Sequence, residues 1–220
     1  MNWRKQLMIC VCLSETNFQK CFDLARQYDL AEIRLDLTGF DVNEVKKIFS
    51  DNKKKLIATY RPGKISEDKR KNFLITAINA GAAYVDVEFD AEYGFKKEIK
   101  SIALRNNCEL IVSYHNYEHT PSCEQLKIIV NQCFDMGADI AKIACMIQKP
   151  EDNTSILSVY EPGKRIVSVG MGELGKISRI AAPFLGAEFT LASSSEEAAT
   201  APGQISYNKL IAIIEMLKNS

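Results

Sequence analysis

The chain has no imbalance of charge, very little histidine and no long apolar segment. Its 220 residues carry 28 basic and 28 acidic side chains and two histidines. Without a net charge, no general attraction to nucleic acid or to an anionic membrane is expected. No apolar run approaches the length of about 20 residues that crosses a bilayer, and the start of the chain lacks a small-residue cleavage site. These absences predict a cytoplasmic protein that binds neither nucleic acid nor membrane.

Patterns for metal binding and for basic docking surfaces are also sparse. Cys10 and Cys12 have no second pair at the spacing of a structural zinc site. The seven cysteines are an odd number and are expected to be reduced, buried thiols. Two basic runs, 53–55 and 69–71, lie beside predicted helices without interleaved aromatic residues and are interpreted as solvated surface. No metal site is predicted.

Eight segments rich in apolar and β-branched residues are typical of strands. They span 6–13, 30–37, 55–61, 84–89, 109–116, 140–145, 165–170 and 188–193. Amphipathic stretches separate them, among them 14–28, 66–81, 121–137 and 172–185, and a last one, 205–219, follows the eighth strand. Eight alternations predict an α/β fold, a (β/α)₈ TIM barrel, in a single domain over residues 1–220. The rival is a doubly wound open sheet, which usually has fewer strands.

Polar residues recur on one face of these apolar strands, because side chains alternate along a strand. The faces carry Glu32, Arg34 and Asp36; Thr59 and Arg61; Asp86 and Glu88; Ser113 and His115; and Lys142. In a parallel barrel the outer face packs against helices, so these side chains are expected to point inward. Buried charge is costly unless it pairs or binds something. The carboxyl ends of the strands are therefore predicted to form a site for a small, polar, anionic molecule.

Lys142 is the lone charged residue in the apolar run 140–145. A buried lysine either finds a charged partner or loses its proton, and a neutral amine is a nucleophile for ketones and aldehydes. The alternative is a lysine that protects an exposed edge strand. Because other strands also carry inward charge, we expect an unprotonated amine in an enclosed pocket.

His115 ends its strand, one strand before the lysine. Adjacent strands lie about 5 Å apart, so both side chains can reach one substrate. A histidine titrates near neutrality and suits repeated proton transfer. Asp86 is expected to hold its other ring nitrogen, whereas His119, in the loop beyond, is expected to be incidental or at the rim.

The segment Gly170–Gly175 matches the dinucleotide fingerprint G-x-G-x-x-G. In dinucleotide-binding domains that motif belongs to the first βαβ unit, whereas here it follows the seventh strand. The seventh and eighth loops of barrels often hold anions. A turn that brings backbone amides and Arg179 to a carboxylate is therefore favoured, and the loop 200–204 is expected to present Gln204 to the same anion. No cofactor is predicted.

Taken together, these motifs resemble type I 3-dehydroquinate dehydratase. The resemblance rests on Glu32–Asp36, Thr59–Arg61, Asp86–Glu88, Ser113–His115, Ala138–Ala144, Gly175–Arg179 and Ala201–Gln204. These segments span nearly the whole chain and occur in the family's order. The resemblance implies a cofactor-free (β/α)₈ lyase, commonly a homodimer, in the shikimate route to aromatic amino acids.

The resemblance also implies roles for individual residues. Lys142 would form a Schiff base with the ketone of 3-dehydroquinate, and His115 would move the protons of a syn elimination that gives 3-dehydroshikimate. Arg179 would bind the substrate carboxylate, and Asp86 would orient the histidine. The remaining substrate-binding residues would be Glu32, Arg34, Arg61, Thr200, which stands where a serine is common, and Gln204.

One segment departs from the family's pattern, and two other functions stay open. Segment 61–67 lacks the acid and the Gly-Gly pair of a loop that covers the substrate, and Glu67 is the candidate replacement for that acid. A class I aldolase would share the Schiff-base lysine but usually handles phosphorylated substrates. A non-catalytic binding barrel would bind a ligand without a covalent adduct.

Overall fold

In a computed structural model, which describes residues 7–63 and 65–218, all eight predicted strand segments form strands. The strands are β1 (Ile9–Leu13), β2 (Leu30–Arg34), β3 (Lys55–Thr59), β4 (Tyr84–Glu88), β5 (Glu109–Asn116), β6 (Ile140–Met146), β7 (Ile166–Met171) and β8 (Thr190–Ser193). The helices are α1 (Phe18–Gln27), α2 (Leu35–Thr38), α3 (Val42–Ser50), α4 (Glu67–Asn79), α5 (Tyr93–Arg105), α6 (Cys123–Asp135), α7 (Asp152–Leu157), α8 (Lys176–Ala181) and α9 (Tyr207–Lys218). Positions 6 and 219, at which two predicted elements begin or end, lie outside the described residues.

The strands form one parallel sheet that curls into a nearly closed barrel. Its order is β7-β6-β5-β4-β3-β2-β1-β8, so that β1 pairs with both β2 and β8. In the described part of the chain, no strand ladder joins β7 to β8, but the amide of Glu188, just before β8, donates to the carbonyl of Ile166, the first residue of β7 (2.9 Å). The predicted (β/α)₈ barrel is confirmed, and the doubly wound alternative is excluded.

Two predicted elements differ from those in the structure. The strand predicted over 30–37 ends at Arg34, because residues 35–38 turn into α2, which Gly39 ends with φ of 74°. The prediction that Asp36 continues the inward face of this strand is therefore wrong. The helix predicted over 172–185 is α8 flanked by two 3₁₀ turns, and the second turn contains Pro183, which lacks the N–H that a continuing α-helix needs.

The two faces of the sheet bury different kinds of residue. The outer face packs a continuous apolar layer against the helices, whereas the barrel interior is apolar towards the amino ends of the strands and mixed towards their carboxyl ends, where Ala144, Val169, Met171 and Leu191 remain apolar. That apolar floor includes Leu30, Ile57, Tyr84, Ile111, Ile140, Val167 and Phe189. Two residues further along the strands, the inward positions are Glu32, Thr59, Asp86, Ser113 and Lys142, all buried. The predicted alternation is confirmed, and it places polar groups at the carboxyl half of the barrel.

The glycines of the G-x-G-x-x-G segment allow backbone to pack on backbone. A Cβ on Gly175 would lie 2.5 Å from the carbonyl carbon of Gly170, and a Cβ on Gly170 would lie 2.9 Å from the Cα of Gly175. The Gly172 amide donates to the carbonyl of Pro202 (3.1 Å), which ties the loop after β7 to the loop after β8. The prediction that this turn aims its amides at an anion is therefore wrong for Gly172.

None of the described helices combines the length and the apolar character needed to span a membrane.

Gly175→Ala should destabilise the fold, because the new methyl group meets backbone that cannot move aside. Overpacking of this kind costs roughly 1–3 kcal/mol. The matched control is Gly94→Ala in α5, where the nearest atom to an added Cβ is Glu92 Oε1 at 3.6 Å. That change should stabilise the protein by up to about 1 kcal/mol, because alanine loses less backbone entropy in a helix. The measurement is the free energy of unfolding in urea, and equal values for the two variants would contradict the expected packing.

Candidate active site

The carboxyl ends of the strands surround a cavity of about 100 Å³. Of the nine predicted site residues, eight line it: Glu32, Arg34, Arg61, His115, Lys142, Arg179, Thr200 and Gln204. The ninth, Asp86, is fully buried and bonded to Lys142. Cys12 and Tyr117 also line the cavity but were not among the predicted site residues. Residues that lie far apart in the sequence thus meet at the predicted end of the barrel.

Lys142 points into this cavity from β6, which pairs with β5 on one side and β7 on the other. An exposed edge-strand position is therefore excluded. Its Nζ donates to Asp86 Oδ2 (2.9 Å) and Glu32 Oε1 (3.2 Å). Burial by itself would lower the pKa of Lys142, but the two carboxylates outweigh it and raise the pKa above its usual value. The expectation of an unprotonated amine is therefore wrong, because the lysine is a buried ammonium paired with two carboxylates.

Glu32 holds the lysine from β2. Its carboxylate also accepts hydrogen bonds from Thr59 Oγ1 (2.8 Å) and from the thiol of Cys12 (3.1 Å). Burial would raise the pKa of Glu32, but the adjacent charge of Lys142 lowers it to about 2. Glu32 is thus a buried anion whose oxygens are both engaged.

Asp86 does not hold His115, contrary to prediction. Its carboxylate accepts two hydrogen bonds from Arg61 (2.9 and 3.0 Å), one from Ser113 (2.5 Å) and one from Lys142 (2.9 Å). Across the described residues, no hydrogen bond connects Asp86 with the imidazole. The register explains this, because Asp86 pairs with Ile111, four residues before His115 on β5. Burial would raise the pKa of Asp86, but Arg61 and Lys142 hold it well below its usual range.

His115 lies at the end of β5, half-buried, and lines the cavity together with Lys142. Burial and the positive charges of Arg61 and Lys142 lower the pKa of His115 well below its usual value. The imidazole is therefore neutral near pH 7 and is able to accept a proton. His119 is exposed and does not line this cavity, as expected.

Arg61 is held by a buried acid from the next strand. Its Nη1 donates to Glu88 Oε1 (2.7 Å), while the other oxygen of Glu88 accepts a hydrogen bond from Arg70. Arg70 also donates to both oxygens of Glu67 (2.8 and 3.1 Å). Glu67 does not line the cavity, so it does not replace the missing acid of segment 61–67, in which position 64 lies outside the described residues.

Arg70 also corrects the interpretation of run 69–71 as a solvated surface. Only 1% of Arg70 is exposed. The signal that predicts this burial is helical spacing, because Arg70 falls on the stripe of α4 that contains Leu74, Ala77 and Ile78, all of them buried.

Arg179 enters the cavity from α8 with few partners. Its Nη1 lies 3.4 Å from the carbonyl oxygen of Leu191, and its Nε is buried without a hydrogen bond. Burial lowers the pKa of Arg179 to about 10, so the guanidinium remains charged near pH 7. A buried cation with unused donors is a strong site for an anion.

The polar wall of the cavity continues in the loop after β8. Gln204 Oε1 accepts hydrogen bonds from the Thr200 amide (2.7 Å) and from its hydroxyl (3.3 Å), while Gln204 Nε2 donates to Cys12 Sγ (3.3 Å). Arg34, on the opposite side of β1, donates to both oxygens of Asp36 (3.0 and 2.8 Å). Within residues 7–63 and 65–218, no three His, Cys, Asp or Glu side chains are grouped to hold a metal ion.

Comparison with known proteins identifies the family of this chain. The sequence model of the type I 3-dehydroquinase family matches residues 9–220. The 3-dehydroquinate dehydratase of Methanococcus vannielii is 35% identical over 231 residues, which cover 96% of this chain and 100% of the relative. The crystal structure of 3-dehydroquinate dehydratase from Aquifex aeolicus VF5 is 27% identical, with a TM-score of 0.80 over 96% of this chain and 98% of that chain.

The enzyme of the same name from Geobacillus kaustophilus HTA426 has the same fold, with a TM-score of 0.87 at 24% identity over 98% of this chain and 92% of that chain. Since the family match covers nearly the whole chain, the chain belongs to the type I 3-dehydroquinase family of hydro-lyases.

Proposed function

We propose that this chain converts 3-dehydroquinate to 3-dehydroshikimate by syn dehydration through a Schiff base on Lys142. The reaction is a step of the shikimate pathway to aromatic amino acids. The observation that carries the proposal is one cavity that holds a buried amine, a neutral imidazole and an anion-binding guanidinium together.

The covalent step begins when Lys142 Nζ attacks the ketone carbon. The ammonium first gives up a proton, and the two carboxylates bonded to it, Glu32 and Asp86, are the nearest acceptors. Addition gives a carbinolamine, and loss of water then leaves an iminium that links the lysine to the substrate carbon.

The charges around Nζ favour this iminium. Glu32 and Asp86 raise the pKa of Lys142 because they stabilise positive charge on its nitrogen. The iminium carries positive charge at the same nitrogen, so the same carboxylates stabilise it. Glu32 and Asp86 are therefore proposed to stabilise the iminium, which is the electron sink of the reaction. This role takes the place of the expectation from the sequence that the pocket keeps the amine neutral.

His115 is the proposed acid–base group. Its neutral imidazole removes a proton from the carbon next to the iminium, and the electron pair moves into an enamine. The imidazolium then returns the proton to the departing hydroxyl, which leaves as water. Hydrolysis of the remaining iminium frees Lys142 and releases the product, so that the substrate loses one water overall.

The remaining cavity residues are proposed to bind the substrate. Arg179 would bind the carboxylate, because its buried guanidinium has donors to spare. The hydroxyls and the carboxylate region would be held by Glu32, Arg34, Arg61, Thr200 and Gln204. Asp86 is proposed to position Lys142 and Arg61, since its oxygens are bonded to both.

Parts of the sequence interpretation stay predictions: one catalytic domain over residues 1–220, a homodimer, a cytoplasmic location and independence from cofactors. The class I aldolase alternative predicts turnover of a phosphorylated substrate, and the binding-barrel alternative predicts saturable binding without an adduct. Trials with both substrate types separate all three functions.

Borohydride should trap a substrate-sized addition on the Lys142 peptide during turnover of 3-dehydroquinate, because reduction converts the iminium to a stable amine. Lys142→Met should give neither adduct nor turnover. Lys176→Met removes an exposed lysine at the same end of the barrel and serves as the control, with adduct and rate retained. Peptide mass mapping is the measurement, and turnover without an adduct on Lys142 would refute the covalent step.

His115→Gln should lower kcat by about 10²- to 10⁴-fold, the usual contribution of a positioned acid–base group. The Schiff base should still form, so borohydride should still modify Lys142. His119→Gln, outside the cavity, is the matched control.

In the unchanged enzyme, the acid limb of kcat/KM should lie below about pH 6.5, because burial, Arg61 and Lys142 lower the pKa of His115. An acid limb above that value would count against a neutral His115 as the base.

Arg179→Met should raise KM by about 10- to 100-fold, since a hydrogen bond to a charged group contributes roughly 1.5–3 kcal/mol. Methionine fills similar space and removes a buried, poorly paired cation, so stability should not fall. Arg165→Met is the control, because Arg165 pairs with Glu109 and Glu188 at the amino end of the barrel. Steady-state kinetics are the measurement, and an unchanged KM would remove Arg179 from the binding site.

A further inference from the structure

The guanidinium of Arg70 is buried although α4 lies outside the barrel. Its Nε donates to the carbonyl oxygen of Tyr60 (2.7 Å), the residue immediately before Arg61. Its plane lies over the ring of Phe95, 4.7 Å from the ring centroid. Arg70 is thus fixed from three sides, by the end of β3, by α5 and by the acids that it binds.

Arg70 begins a continuous row of alternating charges that ends at Lys142. It binds Glu88, Glu88 binds Arg61, Arg61 binds both oxygens of Asp86, and Asp86 binds the lysine. Every link is a direct hydrogen bond between buried or partly buried groups. Such links are worth more than exposed ion pairs, and each leaves an uncompensated charge if one partner is removed.

We propose that Arg70 is a positioning residue for the dehydration: it holds Glu88 against Arg61 and so fixes the place of Arg61 and the charge balance around Lys142 and His115. The expected effect on turnover rests on the proposed function, whereas the expected effect on the charge around His115 does not. Arg70 touches neither the cavity nor the reacting atoms, so it acts through Glu88 and Arg61.

The sign of the effect follows from the groups around His115. The titratable and charged groups on the elements that face it are Cys12 from β1, Glu32 and Arg34 from β2, Arg61 after β3, Asp86 and Glu88 from β4, Lys142 from β6, Arg179 from α8, and, in the adjoining cavity, Asp90 after β4 and Tyr114 from β5. Tyr117, after β5, stacks on the imidazole with 6.1 Å between the ring centroids. Removing the charge of Arg70 leaves Glu88 with one cationic partner instead of two. The surroundings become more negative, which favours the imidazolium.

Arg70→Gln should therefore raise the pKa of His115, and Glu88→Gln should lower it, each by about half to one pH unit. The double variant should return close to the starting value, because both charges are gone. The measurement is an NMR titration of the imidazole signals. The chain has two histidines, so His119→Gln assigns them, and no turnover is needed.

Kinetics provide the second measurement. Arg70→Gln should lower kcat by about 10- to 100-fold, as expected when a group near the chemistry is misplaced by about 1 Å, and should move the acid limb of kcat/KM to higher pH. Arg70→Lys keeps the charge but not the fork of donors, so it should retain the pKa of His115 and recover part of kcat. Lys71→Gln, the neighbouring and more exposed lysine paired with Glu98, is the matched control and should change neither quantity.

Opposite shifts in the two single variants support the proposal, and unfolding cannot produce them. If Arg70→Gln does not fold, the proposal is still tested by the His115 pKa in Glu88→Gln and by kcat in Arg70→Lys. A His115 pKa that stays unchanged in Arg70→Gln and in Glu88→Gln would overturn the proposal, as would a loss of stability in Arg70→Gln without a change in kcat. Failure of the unchanged enzyme to dehydrate 3-dehydroquinate would instead refute the proposed function, because the titration does not depend on it.

Discussion

The site depends on one constraint, the balance of charge around an ammonium buried inside a barrel. Lys142 is compensated by Glu32 and Asp86, and Asp86 is compensated in turn by Arg61. Removing any one of these groups leaves an uncompensated charge in a place with little water, and a charge of that kind costs several kcal/mol. The amine of Lys142 and its surroundings are therefore a single unit, in which the conformation of each side chain is fixed by its neighbours.

The parallel barrel makes this unit possible. Its outer face is covered by helices, so inward side chains have no access to solvent except at the open end of the barrel. The apolar floor below Lys142 closes the other end. Burial then strengthens each hydrogen bond in the site, because the interaction between charges grows as water is excluded. The fold thus supplies the low dielectric, and the strands supply the groups that benefit from it.

Features that follow from strand periodicity could be predicted from the sequence, whereas features that depend on depth and register could not. Alternation placed Glu32, His115 and Lys142 on inward faces. It did not show that Asp86 lies too deep to reach His115, because that depends on the pairing of β4 with β5. The protonation of Lys142 depends on distances of 2.9 and 3.2 Å to two acids on other strands. Arg70 was missed because charged neighbours in the sequence hid its place on the buried stripe of α4.

The unpaired junction between β7 and β8 has a consequence for ligand binding. Arg179 follows β7, whereas Thr200 and Gln204 follow β8. The groups proposed to bind an anion therefore lie on either side of the one gap between neighbouring strands, among the described strands, that no ladder of hydrogen bonds closes. An anion bound by both loops would link β7 to β8 across that gap. Ligand binding would then make the barrel more rigid, so that the affinity for the anion and the closure of the barrel would depend on each other.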